Sequence, residues 1–394
     1  MKILVVAFVY LGEDAGSTHT VEVWRHLTKK FEIKILLPEV KGDKKKKLFE
    51  KINSKDILFV PFTSRRGRGL LRVINFALSS FMYDLYSIIK VIFLKPDIIY
   101  IRLRYLSFAP IFFNFFGKPY VVEVNGLAQY GASKIKKNYF ISLTYKLHFT
   151  IEKYVLKRAQ RIICVTKKLT EILENEYKIN QEKTTVIPNG VDINHFKIVV
   201  AAKEKLEYPQ DLTIIGFVGH FAPWQGMQNV IPALAKIFRN NKFRLVLVGD
   251  GMMRPEWQRL CKKNLLEQDF EFIGLVDYNK VPLYINAFDV CLAPFTSIRN
   301  SDIGLSPLKL YEYMACAKPV LVSNIQGVGD VVETNQTGIV VRSDNIEDYV
   351  NGLRELLGLR DHWPEMGDRG RELVVDQYSW QKNALKVSEV ISSL

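Results

Sequence analysis

Short runs of Val, Ile and Leu recur along the whole chain, each followed by a longer mixed stretch, and this alternation constrains the fold more than any other feature. Apolar runs of about four to eight residues without polar alternation suit strands buried on both faces, and such strands belong to parallel sheets covered by helices. In the first half the candidates are KILVVAFV, EIKILLP, DILFVPF, DIIYIR, PYVVEV, RIICVT and TTVIPN. In the second half they are TIIGFVG, FRLVLVGDG, FEFIGLV, DVCLAP, PVLVSN and TGIVVR. The stretch DINHFKIVVAAKEKLEYPQDL separates the two series; it is polar, contains a proline and has no clear strand. At 394 residues the chain exceeds one ordinary core. The expectation is an α/β protein of two Rossmann-like, doubly wound parallel-sheet domains facing one another across a cleft, with boundaries at 1–200 and 205–377. A last helix, 378–394, places Trp380, Ala384, Val387 and Ile391 on one apolar face, which must dock on something. No repeat of solenoid period occurs.

Composition narrows the class further. With 48% hydrophobic and 24% charged residues and no low-complexity run, the chain reads as an ordinary soluble globular protein. Its four cysteines, Cys164, Cys261, Cys291 and Cys316, form no CxxC, so neither a zinc site nor a disulfide framework is signalled. The N-terminus MKILVVAFVY reads as a first parallel strand rather than a signal peptide, and a cytoplasmic location is expected. The long apolar segment from Leu70 to Leu94 is interrupted by Arg72, Asp84 and Lys90, which argues for one or two partly buried helices rather than a membrane span. Net charge is +14, and all the excess lies in the first half: residues 1–200 hold 34 Lys and Arg against 17 Asp and Glu, and the remainder holds 21 against 24. That asymmetry calls for an anionic partner such as a membrane leaflet or a phosphorylated substrate. It also fits a plain Lys-rich solvated surface. A nucleic-acid partner is not expected, because no RRM, KH or helix-turn-helix signature is present.

In open parallel sheets ligands bind where strands end and helices begin. Five such places attract notice. The loop from Leu11 to Thr20 offers Gly12, Gly16, Ser17, Thr18 and His19, small enough for a phosphate to approach the backbone, although an ordinary surface loop reads equally well. Glu123, Asn125 and Gly126 end the strand PYVVEV, where a carboxylate is costly unless paired or used. Glu123 therefore caps a neighbouring helix, binds an arginine or serves chemistry. GFVGHFAPWQG, 216–226, turns on glycines into a helix, and LVGDG, 247–251, ends a strand with Asp250 as a cap or a ligand. In SPLKLYEYMACAKPV, Ser306 is a candidate N-cap and Pro307 suits the first turn. Lys309 and Glu312, three apart, share a face: a cation for a diphosphate and a carboxylate for ribose hydroxyls, or a surface ion pair worth a few tenths of a kcal/mol (~0.3).

Four motifs, VIPNGVDINHF at 186–196, GFVGHFAPWQG, LVGDG and GLSPLKLYEYMACAKPV at 304–320, together resemble the retaining glycosyltransferases of family 4, which have the GT-B fold. YSWQKNA is similar to the family's closing helix, which crosses back to the first domain. The resemblance implies a nucleotide-sugar donor held mainly by the second domain and an acceptor held by the first. It carries Glu312 onto the ribose-binding glutamate, and Gly304, Leu305 and Ser306 onto the turn whose amides reach the diphosphate or donor sugar. Lys309 becomes a phosphate contact, and Gly219 the glycine that approaches the phosphates. Leu275 and Val276 stand where the base packs, while Gly16 and Glu123 to Gly126 stand where the diphosphate and reacting centre are closed over. Asp250 remains a donor-site candidate.

The chain also departs from the family. His220 and Gln225, donor-binding candidates by position, stand where Arg and Lys are usual, leaving Lys309 and Arg299 as the substitute cations for the donor. Gly304 replaces the first glutamate of the usual pair, which leaves Asp302 as the candidate for the donor-sugar hydroxyls. Ala317 replaces the usual glycine after the helix, so a left-handed cap there is expected to be strained or absent. The expected chemistry is retaining transfer by Lys309, Glu312, Asp302, Glu123 and Asn125, with no cofactor and no metal, since no DxD triplet occurs. The expected acceptor is a lipid-linked saccharide, because the basic residues Lys44 to Lys47, Arg65, Arg66, Arg68 and Arg72 adjoin the apolar segment and suit anionic head groups. A non-catalytic nucleotide-sugar-binding relative and a sugar-nucleotide epimerase of the same fold are the alternatives.

Overall fold

The computed structural model describes residues 1–9, 15–39, 48–61, 69–127, 130, 139–237, 243–265 and 267–394. Gly12, Lys44 to Lys47, Arg65, Arg66 and Arg68 lie outside the described residues, and Arg72 is described in its backbone alone. The chain forms two units, Met1–Pro188 with Trp380–Leu394, and Asn189–Ser379. The first unit thus ends at Pro188 and not near residue 200. The Val191 N–H donates to the Tyr378 carbonyl at 2.8 Å, and Phe196 is buried in the second unit's core with Tyr208, which draws the whole segment after Pro188 into that unit.

In the first unit, among the described residues, the strands are β1 (Lys2–Val6), β2 (Glu32–Pro38), β3 (Ile57–Val60), β4 (Ile98–Arg102), β5 (Tyr120–Val124), β6 (Arg161–Cys164) and β7 (Thr184–Val186). They pair in parallel in the order β3-β2-β1-β4-β5-β6-β7. Every residue of β5 is buried, as expected for a strand with helices on both faces. The order reverses between β1 and β4, the switch point at which open α/β sheets bind ligands. Helix α1 (Ala15–Leu27) follows β1. Because α1 begins at Ala15, His19 lies on a helix and not in a loop. The closing helix Trp380–Ser392 buries Trp380, Ala384, Val387 and Ile391 and packs on α1, with the Trp380 ring edge-on to the His19 ring at 5.2 Å.

The long apolar segment forms one helix, α2 (Gly69–Leu94), and α3 (Ala109–Phe115) lies against it. The inner face of α2 carries Tyr83, Asp84, Ser87 and Val91, all buried. Asp84 accepts from the Phe108 N–H at 2.7 Å and the Ser107 hydroxyl at 3.2 Å and pairs with Arg104, so a buried carboxylate braces α2 to the start of α3. The outer face exposes Leu78, Phe81, Met82, Leu85, Ile89, Ile92 and Phe93. By length and composition Asn75–Leu94 could cross a membrane, yet the Asp84 brace ties it to its own unit.

In the second unit the described strands are β8 (Thr213–Val218), β9 (Phe243–Val248), β10 (Phe270–Gly274), β11 (Val290–Ala293), β12 (Val320–Ser323) and β13 (Gly338–Val341), all parallel, in the order β10-β9-β8-β11-β12-β13. This is the Rossmann order, with its switch between β8 and β11. Helix α4 (Met227–Ile237) follows β8, and α5 (Leu308–Ala315) leads into β12. After α5, Ala317 adopts φ 53°, its N–H donating to the Met314 carbonyl at 2.9 Å and that of Lys318 to the Tyr313 carbonyl at 3.2 Å. The left-handed cap is therefore present, on a residue with a Cβ.

Candidate functional site

In the second unit the site is built where β8 and β9 end. Both strands finish in glycines with left-handed backbones, Gly219 at φ 142° and Gly249 at φ 129°, whose loops interlock: the Gly219 N–H donates to the Val248 carbonyl at 3.0 Å. A Cβ on Gly219 would stand 2.8 Å from the Lys309 Nζ. The missing side chain is what admits the ammonium to the end of β8.

Lys309, in the first turn of α5, is buried, with 9% of its surface exposed. Its Nζ donates to the Gln225 Oε1 at 2.8 Å and lies 3.7 Å from the centre of the Phe217 ring. Among the described residues no carboxylate forms an ion pair with it, so the surface pair with Glu312 is not the arrangement found. A buried ammonium held by one amide oxygen and a ring face keeps its charge uncompensated and has further N–H donors to offer. Burial lowers its pKa well below the ordinary lysine value, against the pull of Glu312. Glu312, one turn on, is half-buried, and burial pushes its carboxyl up to about 7 despite the nearby ammonium. The first-turn amides of α5 point the same sense of charge at the site.

Gln225 takes on a role that sequence reasoning missed. In place of a second cation, its neutral amide fixes Lys309, and a cation there would repel the ammonium. The other substitute, Arg299, is exposed, in a left-handed backbone at φ 73°, with its guanidinium 4.5 Å from the Trp224 ring centre.

Two expectations for the turn before α5 are corrected. Ser306 is not the N-cap: the helix starts at Leu308 and Pro307 occupies the cap position at ψ 129°. The Ser306 hydroxyl instead accepts the Asn189 N–H at 2.8 Å and lies 3.0 Å from the Tyr311 hydroxyl. Nor is the Leu305 amide available to a diphosphate, because it donates to the Gln326 carbonyl at 2.9 Å. Gly304, at φ 68°, makes the bend between the two segments.

The remaining second-unit candidates are less converged. Asp250 accepts from the Gly251 N–H at 2.7 Å and pairs with Arg254 at 3.0 Å; these contacts lower its pKa and make it a turn-former. His220 and Asp302 are exposed. Leu275 is 82% exposed beyond β10, and Val276 is half-buried, packed against the core.

In the first unit the strand-end carboxylate, Glu123, is 2% exposed and both its oxygens are taken. Oε1 accepts from Arg102 and Asn125; Oε2 accepts from the Tyr100 hydroxyl at 2.7 Å and lies 3.2 Å from the His19 Nε2. Burial alone would raise its pKa, but His19 and Arg102, with hydrogen bonds from His19 and Asn125, hold it well below the ordinary carboxylate range. The arginine-binding alternative is the one found, and Asn125 belongs to the same cluster. The register that sets Arg102 opposite Glu123 on β4 and β5 brings the pair together. Gly16 lies in the first turn of α1.

Known proteins match this chain in both units. Residues 16–195 match the family described as Glycosyltransferase Family 4, and residues 201–373 match Glycosyl transferases group 1. The chain is 23% identical to an uncharacterized glycosyltransferase of Methanocaldococcus jannaschii, over 100% of this chain and 99% of that protein. Sucrose-phosphate synthase from Thermosynechococcus elongatus superimposes with a TM-score of 0.78 at 17% identity, covering 100% of this chain and 98% of that one. Anabaena HepE in complex with UDP-glucose gives a TM-score of 0.74 at 16% identity, covering 100% of both chains. At such identities the two structures speak to the fold, which is GT-B.

Proposed function

The chain belongs to the group 1, family 4 glycosyltransferases, and from that premise we propose that it transfers a hexosyl group from a nucleoside-diphosphate sugar to a saccharide acceptor with retention at the anomeric carbon. The observation that carries this reading is the buried Lys309 ammonium, cradled by Gly219 and Gln225 without a compensating carboxylate. An incoming diphosphate supplies the missing negative charge and raises the lysine pKa again. As the bond from the anomeric carbon to the diphosphate oxygen lengthens, charge gathers on the leaving group beside Lys309 and the first-turn amides of α5. The acceptor hydroxyl oxygen bonds to the same face of that carbon, and its proton passes to the departing diphosphate. Glu312 accepts two ribose hydroxyls. No divalent cation is required in this scheme, so a chelator is expected to leave the rate unchanged.

The non-catalytic alternative rests on His220 and Gln225 standing in place of cations; Gln225 holds Lys309, which removes the Gln225 half of that case. A thermal-shift panel of UDP-, GDP- and ADP-sugars tests the reading. One donor is expected to stabilise the wild type and to lose its effect in Glu312→Ala; silence from every donor would overturn it.

The finer reading is a lipid-linked acceptor used in cell-surface saccharide synthesis, with the enzyme peripheral on the inner face of the cell membrane. It is supported by the basic excess of residues 1–200 and by the outer face of α2, where Phe93 is 78% exposed, together with Phe112, Phe115 and Phe116 at α3. A second copy of this chain would bring the same positive charge to such a face, whereas an anionic leaflet complements it. Flotation with anionic vesicles at low salt is expected, and Phe93→Ser with Phe115→Ser is expected to weaken it. Failure to float with either anionic or neutral vesicles would sink this part.

A further inference from the structure

The turn that precedes α5 is fastened to both places where the chain passes from one unit to the other. The chain enters the second unit at Asn189 and leaves it at Ser379. Asn189 grips Ser306 twice: its N–H donates to the hydroxyl at 2.8 Å, and its Nδ2 donates to the carbonyl at 2.6 Å. The Ser306 hydroxyl also meets the Tyr311 hydroxyl at 3.0 Å. The Tyr311 ring stacks on that of Tyr378 at 4.7 Å and 17°. The circle closes where the Val191 N–H donates to the Tyr378 carbonyl at 2.8 Å and Val191 bridges Ser379. Tyr378 itself ends a π-helical turn, Val374–Tyr378, a local irregularity common near functional sites.

We propose that Asn189 and Tyr311 are positioning residues for the donor: they fix the Ser306 hydroxyl and carbonyl, and thereby the turn that delivers Lys309 and the first-turn amides of α5. Ser306 does not cap its own helix, because Pro307 occupies the cap position. The proline after it disfavours a helical backbone at Ser306, and its hydroxyl and carbonyl are held by Asn189 from outside the helix, while the Tyr311 hydroxyl ties the same hydroxyl to α5 from within. Neither residue needs to touch the ligand. The inference rests on the reading that α5 receives a nucleoside diphosphate.

The experiment compares Tyr311→Phe and Asn189→Asp with Tyr349→Phe. The last removes a buried tyrosine hydroxyl of the same kind, 2.8 Å from the Ser323 hydroxyl in the same unit but away from the turn. Dissociation constants for UDP, GDP and ADP are measured by titration, with unfolding midpoints in their absence. For the diphosphate that the wild type binds, Tyr311→Phe and Asn189→Asp are expected to weaken binding about ten-fold and to raise the donor KM in parallel, the acceptor KM staying put. Tyr349→Phe is expected to lower the midpoint comparably and leave the nucleotide constant alone. If the first two variants bind as tightly as Tyr349→Phe, or if all three weaken alike, the positioning role is refuted while the functional reading stands. A wild type that binds none of the three diphosphates removes both.

Discussion

Both units bury a charged side chain near the end of the sheet, Glu123 in the first and Lys309 in the second, and the two are solved in opposite ways. Glu123 meets Arg102, His19, Tyr100 and Asn125, so its charge is matched and its oxygens are filled. Lys309 meets an amide oxygen and an aromatic face, which position it and leave its charge. Burial of charge alone therefore does not mark a ligand site. What separates them is the sign of the surroundings: a neutralised charge holds strands together, and an unneutralised one stores affinity for a counter-ion.

The contrast breaks most sharply at Glu123. Glu123→Ala should destabilise the first unit by about 3 kcal/mol or more, because it strands Arg102 and His19 in a buried site, and urea unfolding would read it. Its folded pKa lies below the unfolded value of 4.5, so its contribution is present above that pH and is lost on acidification below it. Glu123→Gln should flatten that acid limb. Lys309→Met should do the reverse: kcat/KM falls about 100-fold or more, while the unfolding midpoint holds or rises because an uncompensated buried cation is gone.

Gly219→Ala comes next. Its Cβ would crowd the ammonium at 2.8 Å in a backbone that L residues avoid, and the donor KM should rise about ten-fold with the acceptor KM unmoved. Acidification tests Glu312 in the same assay. With its carboxyl near 7, ribose acceptance is complete above that pH and fails below it, so the donor KM should climb toward ten-fold per pH unit on the acid side. Glu312→Gln should abolish the slope. Arg299→Ala is the smallest expected effect: loss of an exposed guanidinium stacked on Trp224 should change donor kcat/KM by about two- to five-fold.

Much of this architecture was legible in the sequence because local composition encodes it. Strands buried on both faces, such as β5 and β8, must be apolar throughout, and each of the thirteen quoted runs coincides with a strand. The closing helix announced its buried face by spacing, and α5 announced a cation and a carboxylate on one side. The errors fell where a residue's partner is remote in the chain. Ser306 looked like an N-cap because Ser before Pro is a good local start; Asn189, 117 positions away, claimed its hydroxyl. Leu305 lost its amide to Gln326, and the seam moved to Pro188 because Val191 pairs with Tyr378. Ala317 took the left-handed cap that its Cβ disfavours, since the loop it opens must return to β12.

The sequence by itself determined the secondary elements, their parallel pairing class and the presence of Lys309 and Glu312 on a helix face, because these depend on periodicity and side-chain chemistry within a few residues. Only the tertiary structure decided which buried charge is neutralised. That outcome turns on Coulomb and desolvation energies between groups distant in sequence, Glu123 with His19 and Lys309 with Gln225, which no local pattern contains.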